Sequence, residues 1–320
     1  MQSMLKRALA GMGVVFAVVA LAACGSSSSS SAAGGGSSPS SSGGGSGPGK
    51  GKPPITIGDK NFTEEFILGD LYAEALRAKG FTVNLKPNIG SSELTDKALR
   101  SGQINMYPEY TGVILSVIKA QAKVPATAAA TYEAAKSFEA GRGFTLLNPT
   151  PFQDRDATAT LVAFAKQHGL TTMADLKKLP SFTNGGPPEN KTRYEGIVGM
   201  HQAYHLFNVK FVPLTIGLQY QALDSGNVDS ANVFTTDGQL QSGKYTLLSD
   251  PKHIYGFQQV APVVSSKLLA SEGPAFEQTL NAVSAKLTTH VMQQLNAAVD
   301  IQKVDPATVA SKFLAANGLK

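Results

Sequence analysis

The chain has 320 residues, 42% of them hydrophobic, a formal net charge of +5, one cysteine and no tryptophan. A single cysteine excludes an intramolecular disulfide, and a mild charge without any Lys/Arg block argues against a nucleic-acid face. The absence of indole stacking plates argues against a large sugar ligand, and the length is ample for two lobes, each with its own core.

Residues 1–23 read as a signal peptide, with Lys6 and Arg7 ahead of an apolar run that closes on Leu21-Ala22-Ala23-Cys24. The apolar run is marginal for a membrane span of roughly 20 residues. Its ending is similar to a bacterial lipobox, in which the cysteine becomes the first mature residue and carries lipid. Cys24 is therefore the expected lipidation site, placing the protein on the extracytoplasmic face of the cell membrane. More than one acyl chain is needed for firm anchoring, at about 0.8 kcal/mol per buried CH₂. Residues 24–54 are Ser/Gly-rich, have almost nothing apolar to bury, and read as a flexible tether.

The folded part starts at Ile55. "ITIG" is a strand, and "TEEFILGDLYAEALRAKG" is a helix that Thr63 can cap, Glu64 and Glu65 can open, and Gly80 can end. "FTVNLKPN" is a strand, "SELTDKALRSG" a helix, and "INMYPEY" a strand-like piece broken by Pro108. This β-α-β-α-β order predicts a parallel sheet with right-handed crossovers. "TGVILSVIKAQ" and "TYEAAKSFEAGRG" are helical, and "FTLLNPTPFQDRDATATLVAF" crosses from loop to strand. "TTMADLKKLPSFTNGG" gives a short helix and a turn, and "RYEGIVGMHQAYHLFNV" a glycine-interrupted helix. "KFVPLT", "VDSANVF", "YTLLSD" and "GFQQVAPVVSS" are strands, and "GLQYQALDSG" is a helix. The C-terminal tail is helical, with its last helix starting at Asp305 or Pro306.

Two of these segments echo each other. "ALRSGQINMYPEYTG" (98–112) and "ALDSGNVDSANVFTTDG" (222–238) share Ala-Leu-x-Ser-Gly, and twelve positions after the Ala each has an aromatic followed by Thr. The aromatics are Tyr110 and Phe234. Each segment ends an α-to-β step, and in open parallel sheets ligands bind outside the carboxyl ends of the strands. Two similar lobes facing each other would place Tyr110 and Phe234 on opposite walls of one cleft.

On "IGDKNFTEEFILGDLYAEAL", "ALRSGQINMYPEYTG", "GLQYQALDSGNVDS", "FTTDG" and "APVVSSKLL", the chain resembles the substrate-binding lipoproteins of osmoprotectant ABC importers. The resemblance runs from Ile55 to the C-terminus. It implies an α/β, two-lobed periplasmic-binding-protein-like (type II) fold with the ligand cleft between the lobes. Lobe 1 would comprise 55–156 plus 262–320, and lobe 2 would comprise 157–261. The implied function is an extracytoplasmic receptor that binds glycine betaine, choline or a related quaternary amine and delivers it to the permease and its ATPase. The implied state is a monomer without cofactor, bound metal or nucleic acid.

The family holds a trimethylammonium head in a cage of tyrosines and a carboxylate with basic side chains, using cation–π attraction and a bidentate guanidinium. By resemblance, Lys60 and Arg193 face the carboxylate, Tyr110 and Phe234 match two cage positions, and Gln258 falls where a third tyrosine is usual. The fourth falls near Asp154 and Asp156, where "QDRDA" has no aromatic, and Val113 replaces a frequent Thr. With the cage so reduced, Asp154, Asp156 and Gln258 could instead face a hydroxyl-rich solute such as a polyol, a sugar-like molecule or a polyphenol. Tyr255 and Phe257 are near enough in sequence to supply a displaced ring.

Each residue also has a plainer reading. Lys60 could be a solvated loop lysine, and Arg193 could pair with Glu189 or Glu195 on its own helix. Tyr107 reads as core, Asp154 and Asp156 could flank Arg155 in a solvated turn, and Gln258 could satisfy backbone groups at a crossing strand. Catalysis has thin support: there is no GxSxG or P-loop, and His201 and His205, on one helix face, lack an HExxH context. A structural envelope lipoprotein is a further alternative, which the cleft logic disfavours. For the anchor, Cys24→Ser is expected to leave an uncleaved or released protein. Mass spectrometry of the native protein that finds an unmodified N-terminus elsewhere would overturn the lipidation reading.

Overall fold

The computed structural model describes residues 47–121 and 125–320. The segment 1–23, Cys24 and most of the 24–54 tether lie outside the described residues. Among the described residues, strands follow in chain order as β1 (Ile55–Gly58), β2 (Val83–Lys86), β3 (Met106–Tyr110), β4 (Phe144–Leu146), β5 (Asp156–Leu161), β6 (Phe182–Gly186), β7 (Val209–Pro213), β8 (Ser230–Phe234), β9 (Tyr245–Leu248) and β10 (Val260–Ser265). They form two five-stranded sheets, ordered β2-β1-β3-β10-β4 and β7-β6-β8-β5-β9.

The two sheets share one plan. In the first, β1 runs parallel to β2 and β3, and β10 joins β3 and β4 antiparallel. In the second, β6 runs parallel to β7 and β8, and β5 joins β8 and β9 antiparallel. Strands β5 and β10 thus enter corresponding places after the chain crosses between lobes. The two crossing segments touch where Gln153 bridges Gln259 antiparallel.

The echoed segments occupy corresponding places in this plan. Helix α2 (Ser92–Arg100) leads into β3, and the helix Gln219–Asp224 leads into β8. Their Ser-Gly pairs end both helices in the same way. Gly102 and Gly226 take positive φ of 74° and 70°, which a residue without Cβ adopts without strain. Gly102 then donates to the Leu99 carbonyl and Gly226 to the Leu223 carbonyl. Tyr110 and Phe234 are the last residues of their strands.

Apolar clusters cover both faces of each sheet. Along β10, Val260 and Val264 join the cluster of α1 (Thr63–Ala78), whereas Ala261 and Val263 join the one around Tyr107 and Ile114. This is the period-two alternation of a strand buried on both sides. Helix α1 lays Leu68, Leu71, Tyr72, Ala75 and Leu76 against Phe276, Leu280, Val283 and Leu314 of the C-terminal helices. Each fully buried Leu or Phe there contributes roughly 1.5–3 kcal/mol relative to exposure. The last helix starts as expected, with Asp305 capping through Thr308 N and Pro306 in its first turn.

Several expectations are corrected. Thr63 is not the cap of α1: Phe62 holds that position, and the Thr63 hydroxyl donates to Asp300 Oδ1 at 2.6 Å. Pro108 does not break β3, because it lies opposite Pro262 of β10, where neither residue needs an N–H toward the other. On its other edge β3 meets β1 only at Met106, so no ladder bond is lost to the proline. "SFTNGG" supplies β6, a central strand and not a turn. Its Asn and Gly residues carry weak strand propensity, yet a Cβ on Gly185 would lie 2.5 Å from Leu214 Cδ1, so packing selects the glycine. His201 and His205 do not share a helix face, because that helix ends at Gln202.

At the carboxyl end of β1, Asp59 is fully buried against α1. A Cβ on Gly69 would lie 2.0 Å from its carboxylate, and neither Asp59 oxygen has a hydrogen-bond partner among the described residues. Burial, with repulsion from Glu65 and Asp70, pushes its pKa from 3.8 up to about 9. A carboxyl raised on folding contributes stability that is fully present below 3.8 and is lost as pH rises through about 9. Melting temperatures measured from pH 4 to 9 should therefore fall less steeply in Asp59→Asn than in the wild type; parallel curves would refute this.

Candidate functional site

A cavity opens between the lobes, and Lys60, Tyr110, Asp154, Asp156, Arg193, Phe234 and Gln258 all line it. Strand ends and crossing segments deliver them. Lys60 lies in the loop after β1, Tyr110 ends β3, Asp156 starts β5, Phe234 ends β8, and Gln258 precedes β10. This is the carboxyl-end crevice that open sheets reserve for ligands.

Lys60 is no solvated loop residue, being 2% exposed. Its Nζ donates to Glu109 Oε1 in a short bond and sits 3.6 Å from Glu65 Oε1. It also lies 4.1 Å from the Tyr110 ring centroid and 5.7 Å from that of Phe62. A cation therefore already occupies the face of the matched cage tyrosine. Burial, with Lys60 opposing it and Glu109 adding to it, pushes Glu65 up to about 8.

Glu64 links the lobes. The Tyr110 hydroxyl donates to its Oε1 at 2.8 Å, while Thr236 Oγ1 and Asn296 Nδ2 donate to Oε2 at 2.6 and 2.9 Å. Thr236 follows β8 in the second lobe. Burial raises the Glu64 carboxyl above its ordinary value against the pull of those bonds. Glu64 and Glu65 open α1 as expected, but both are buried and joined to the site rather than solvated.

Arg193 also reaches across the cleft. Its Nε and Nη2 donate to the two Glu93 oxygens at 3.2 and 2.7 Å, and Nη1 lies 3.7 Å from Glu195 Oε1. Of its expected helix partners, Glu195 is a neighbour, but the bidentate partner is Glu93 at the start of α2. Against partial burial, the Arg193 bonds hold Glu93 below its ordinary value. Ser116 donates to Glu195 Oε2 at 2.8 Å, a third polar tie between lobes.

Asp154 and Asp156 do not flank a solvated turn. Asp154 is 4% exposed and accepts from Thr236 N at 3.2 Å; burial, Glu64 and Asp237 raise it well above its ordinary value. Asp156 is pushed up to about 8 by burial and by Glu195, against Arg193. Gln258 serves backbone groups, accepting from Val113 N at 3.0 Å and donating to the Tyr255 carbonyl at 3.3 Å. Tyr107 is fully buried core.

Phe62 is the third aromatic on the cavity lining beside Tyr110 and Phe234, and neither Tyr255 nor Phe257 lines it. Its ring stacks 6.2 Å from Tyr110 and 5.2 Å from Phe234, so the expected opposite walls are joined by a third aromatic. Sequence reasoning passed over Phe62 because it reads as the residue before a helix. Its signal was an aromatic beside Lys60 in the same β1–α1 loop. Glu93 and Asn190 were missed as well, and Glu195 was foreseen only as a partner of Arg193 and not as part of the lining. Asn190 is 3% exposed, lines the cavity, and its Nδ2 has no hydrogen-bond partner among the described residues.

Residues 53–316 match the family described as the substrate binding domain of ABC-type glycine betaine transport systems. The chain belongs to this family. It is a solute receptor of an ABC importer for glycine betaine/choline-type solutes, and family members are binding proteins rather than enzymes. It is 31% identical over 272 residues to the glycine-betaine-binding protein of Pseudomonas aeruginosa, covering 81% of this chain and 86% of that protein. It is 26% identical over 273 residues to the carnitine transport binding protein OpuCC of Listeria monocytogenes, covering 84% and 88%. A crystal structure of a glycine betaine/carnitine/choline ABC transporter superposes with a TM-score of 0.68 at 25% identity, covering 83% of this chain and 99% of that one. Among the described residues, no helix is long and apolar enough to cross a membrane.

The bond between Thr236 and Glu64 is buried and charge-assisted, a class worth roughly 1.5–3 kcal/mol. Thr236→Val should therefore favour a more open ligand-free form, read as a larger radius of gyration in small-angle scattering. An unchanged radius would show that this bond does not hold the lobes together.

Proposed function

We propose that the receptor takes glycine betaine, choline or a related quaternary amine in the cleft between its lobes. The observation that carries this reading is the stack of Phe62 between Tyr110 and Phe234 with a Lys60 ammonium already held on the Tyr110 face. Ring faces attract methylated cations, by roughly 2 kcal/mol or more when desolvated. Since Lys60 takes the Tyr110 face and Phe62 is stacked on both neighbours, the outer face of Phe234 is the one left for the ligand nitrogen. A ligand carboxylate or hydroxyl would meet Arg193 and the unpaired Asn190 Nδ2 at the other end, in exchange for the Arg193 bond to Glu93.

Lobe boundaries at 55–156 with 262–320 and at 157–261 are compatible with this reading, although they leave Asp156 of β5 with lobe 1 and Val260 and Ala261 of β10 with lobe 2, whereas the sheets put β5 in the second and β10 in the first. Lipidation at Cys24 would tether the receptor beside its permease, with the Ser/Gly-rich segment 24–54 giving it reach. A second reading, a hydroxyl-rich solute, draws on the raised Asp154 and Asp156 carboxyls, which can both donate and accept when protonated.

Titration calorimetry with glycine betaine and choline separates these readings. Arg193→Ala is expected to weaken betaine by about 2–5 kcal/mol, the cost of a buried half-paired charge, and to weaken choline much less. Equal losses would remove Arg193 from the carboxylate. Binding of polyols, with no binding of either amine, would favour the second reading.

A further inference from the structure

Both basic side chains on the cleft lining are already paired. Among the described residues, Lys60 and Arg193 are the only Lys or Arg on that lining, and no His joins them. Lys60 is spent on Glu109 and Glu65. Arg193 is spent on Glu93, which accepts from its Nε at 3.2 Å and its Nη2 at 2.7 Å, while Nη1 is left beside Glu195 at 3.7 Å. The Nε–Nη2 edge is a fork by which a guanidinium holds a carboxylate with two parallel bonds. A carboxylate of the chain itself therefore fills the place that a ligand carboxylate would take.

Glu93 is fixed in that position. It is the second residue of α2, where a helix start favours negative charge, and the Ser91 hydroxyl donates to its Oε2 at 2.6 Å. Ser91 and Arg193 both line the cavity, so the Glu93 carboxylate is joined to the lining from two sides. Its side chain is nonetheless 46% exposed, against 15% for Arg193. Water can take over this carboxylate when it is displaced, whereas an abandoned guanidinium would stay largely desolvated. A pair so open on one side is worth little in net terms, which makes it exchangeable.

We propose that Glu93 is a specificity-determining residue: as an internal carboxylate it competes for the Arg193 fork, lowering affinity for ligands that carry a carboxylate and leaving ligands without one untouched. For its ligands the proposal rests on the quaternary-amine reading above, and it goes beyond that reading in assigning the residue that sets their ranking. Glu93 and Arg193 also belong to different lobes, so their pair is a tie across the cleft. The two roles have separate signatures. A lost tie shifts the balance between open and closed forms and changes the affinity of every ligand of the closed form by one factor. Lost competition changes the affinity of carboxylates alone.

Calorimetry with glycine betaine and choline on the wild type and Glu93→Ala reads the difference. Alanine is the informative substitution, because the amide oxygen of a glutamine could still accept from Arg193. Competition predicts that the ratio of betaine affinity to choline affinity rises about threefold to tenfold in the variant. An unchanged ratio, with both affinities moving together or not at all, would leave Glu93 a tie between lobes and overturn the proposal. A second measurement does not depend on the amine. Sodium acetate, a bare carboxylate, is titrated while the Arg193 Nε–H resonance is followed by nitrogen-edited NMR. Its midpoint should fall at about threefold to tenfold lower acetate in Glu93→Ala than in the wild type, and equal midpoints would overturn the proposal. If the wild type bound neither amine, the quaternary-amine reading would fall, and the acetate midpoints would decide by themselves whether Glu93 competes.

Discussion

One buried ammonium organises the cleft. Lys60, 2% exposed, sits between the carboxylates of Glu65 and Glu109 and beneath the Tyr110 ring. Desolvating charged groups is expensive and is offset only when attraction and hydrogen bonds are well placed. Here the partners come from separate elements: Lys60 from the β1 loop, Glu65 from α1, Glu109 from β3. Removing the lysine would leave the two carboxyl groups buried together without their cation. The same charge sets the electrostatics of the ligand space. It makes the Tyr110 face unwelcoming to a second cation.

Much of the fold was legible because its determinants are local. The alternation in "ITIG", the apolar spacing in α1, the Asp305-Pro306 start and the Ser-Gly helix ends all act within a few residues. The repeat was legible for a further reason: the same helix-to-strand step is built twice, with a left-handed glycine at each turn. What escaped depends on distant partners. "SFTNGG" is a strand because β7 and β8 flank it and Leu214 fills the space over Gly185. Pro108 is compatible with a strand because Pro262 faces it 154 positions later in the chain.

The site divides in the same way. The seven residues assigned by resemblance all line one cavity, since strand ends converge wherever two such sheets face each other. Their bonding was not legible. Arg193 finds Glu93, a hundred positions away, before its helix neighbour Glu195. Gln258 spends its amide on backbone, and the third ring on the lining is Phe62, not a residue near Asp154. Sequence marks where a side chain is delivered; the partner that meets it there depends on which surfaces close together.

The facing prolines of β3 and β10 have a consequence for accuracy. A sheet slipped by one residue exchanges its buried faces, and here it would also bring each proline opposite a residue whose carbonyl then lacks an N–H from that strand. The pair thus acts as a register lock at the centre of the sheet. Tyr110 lies two residues beyond Pro108 and opposite Val260, itself two residues before Pro262. A covalent ring that cannot donate a hydrogen bond therefore calibrates the reach of the aromatic and amide side chains that enter the cleft at those strand ends.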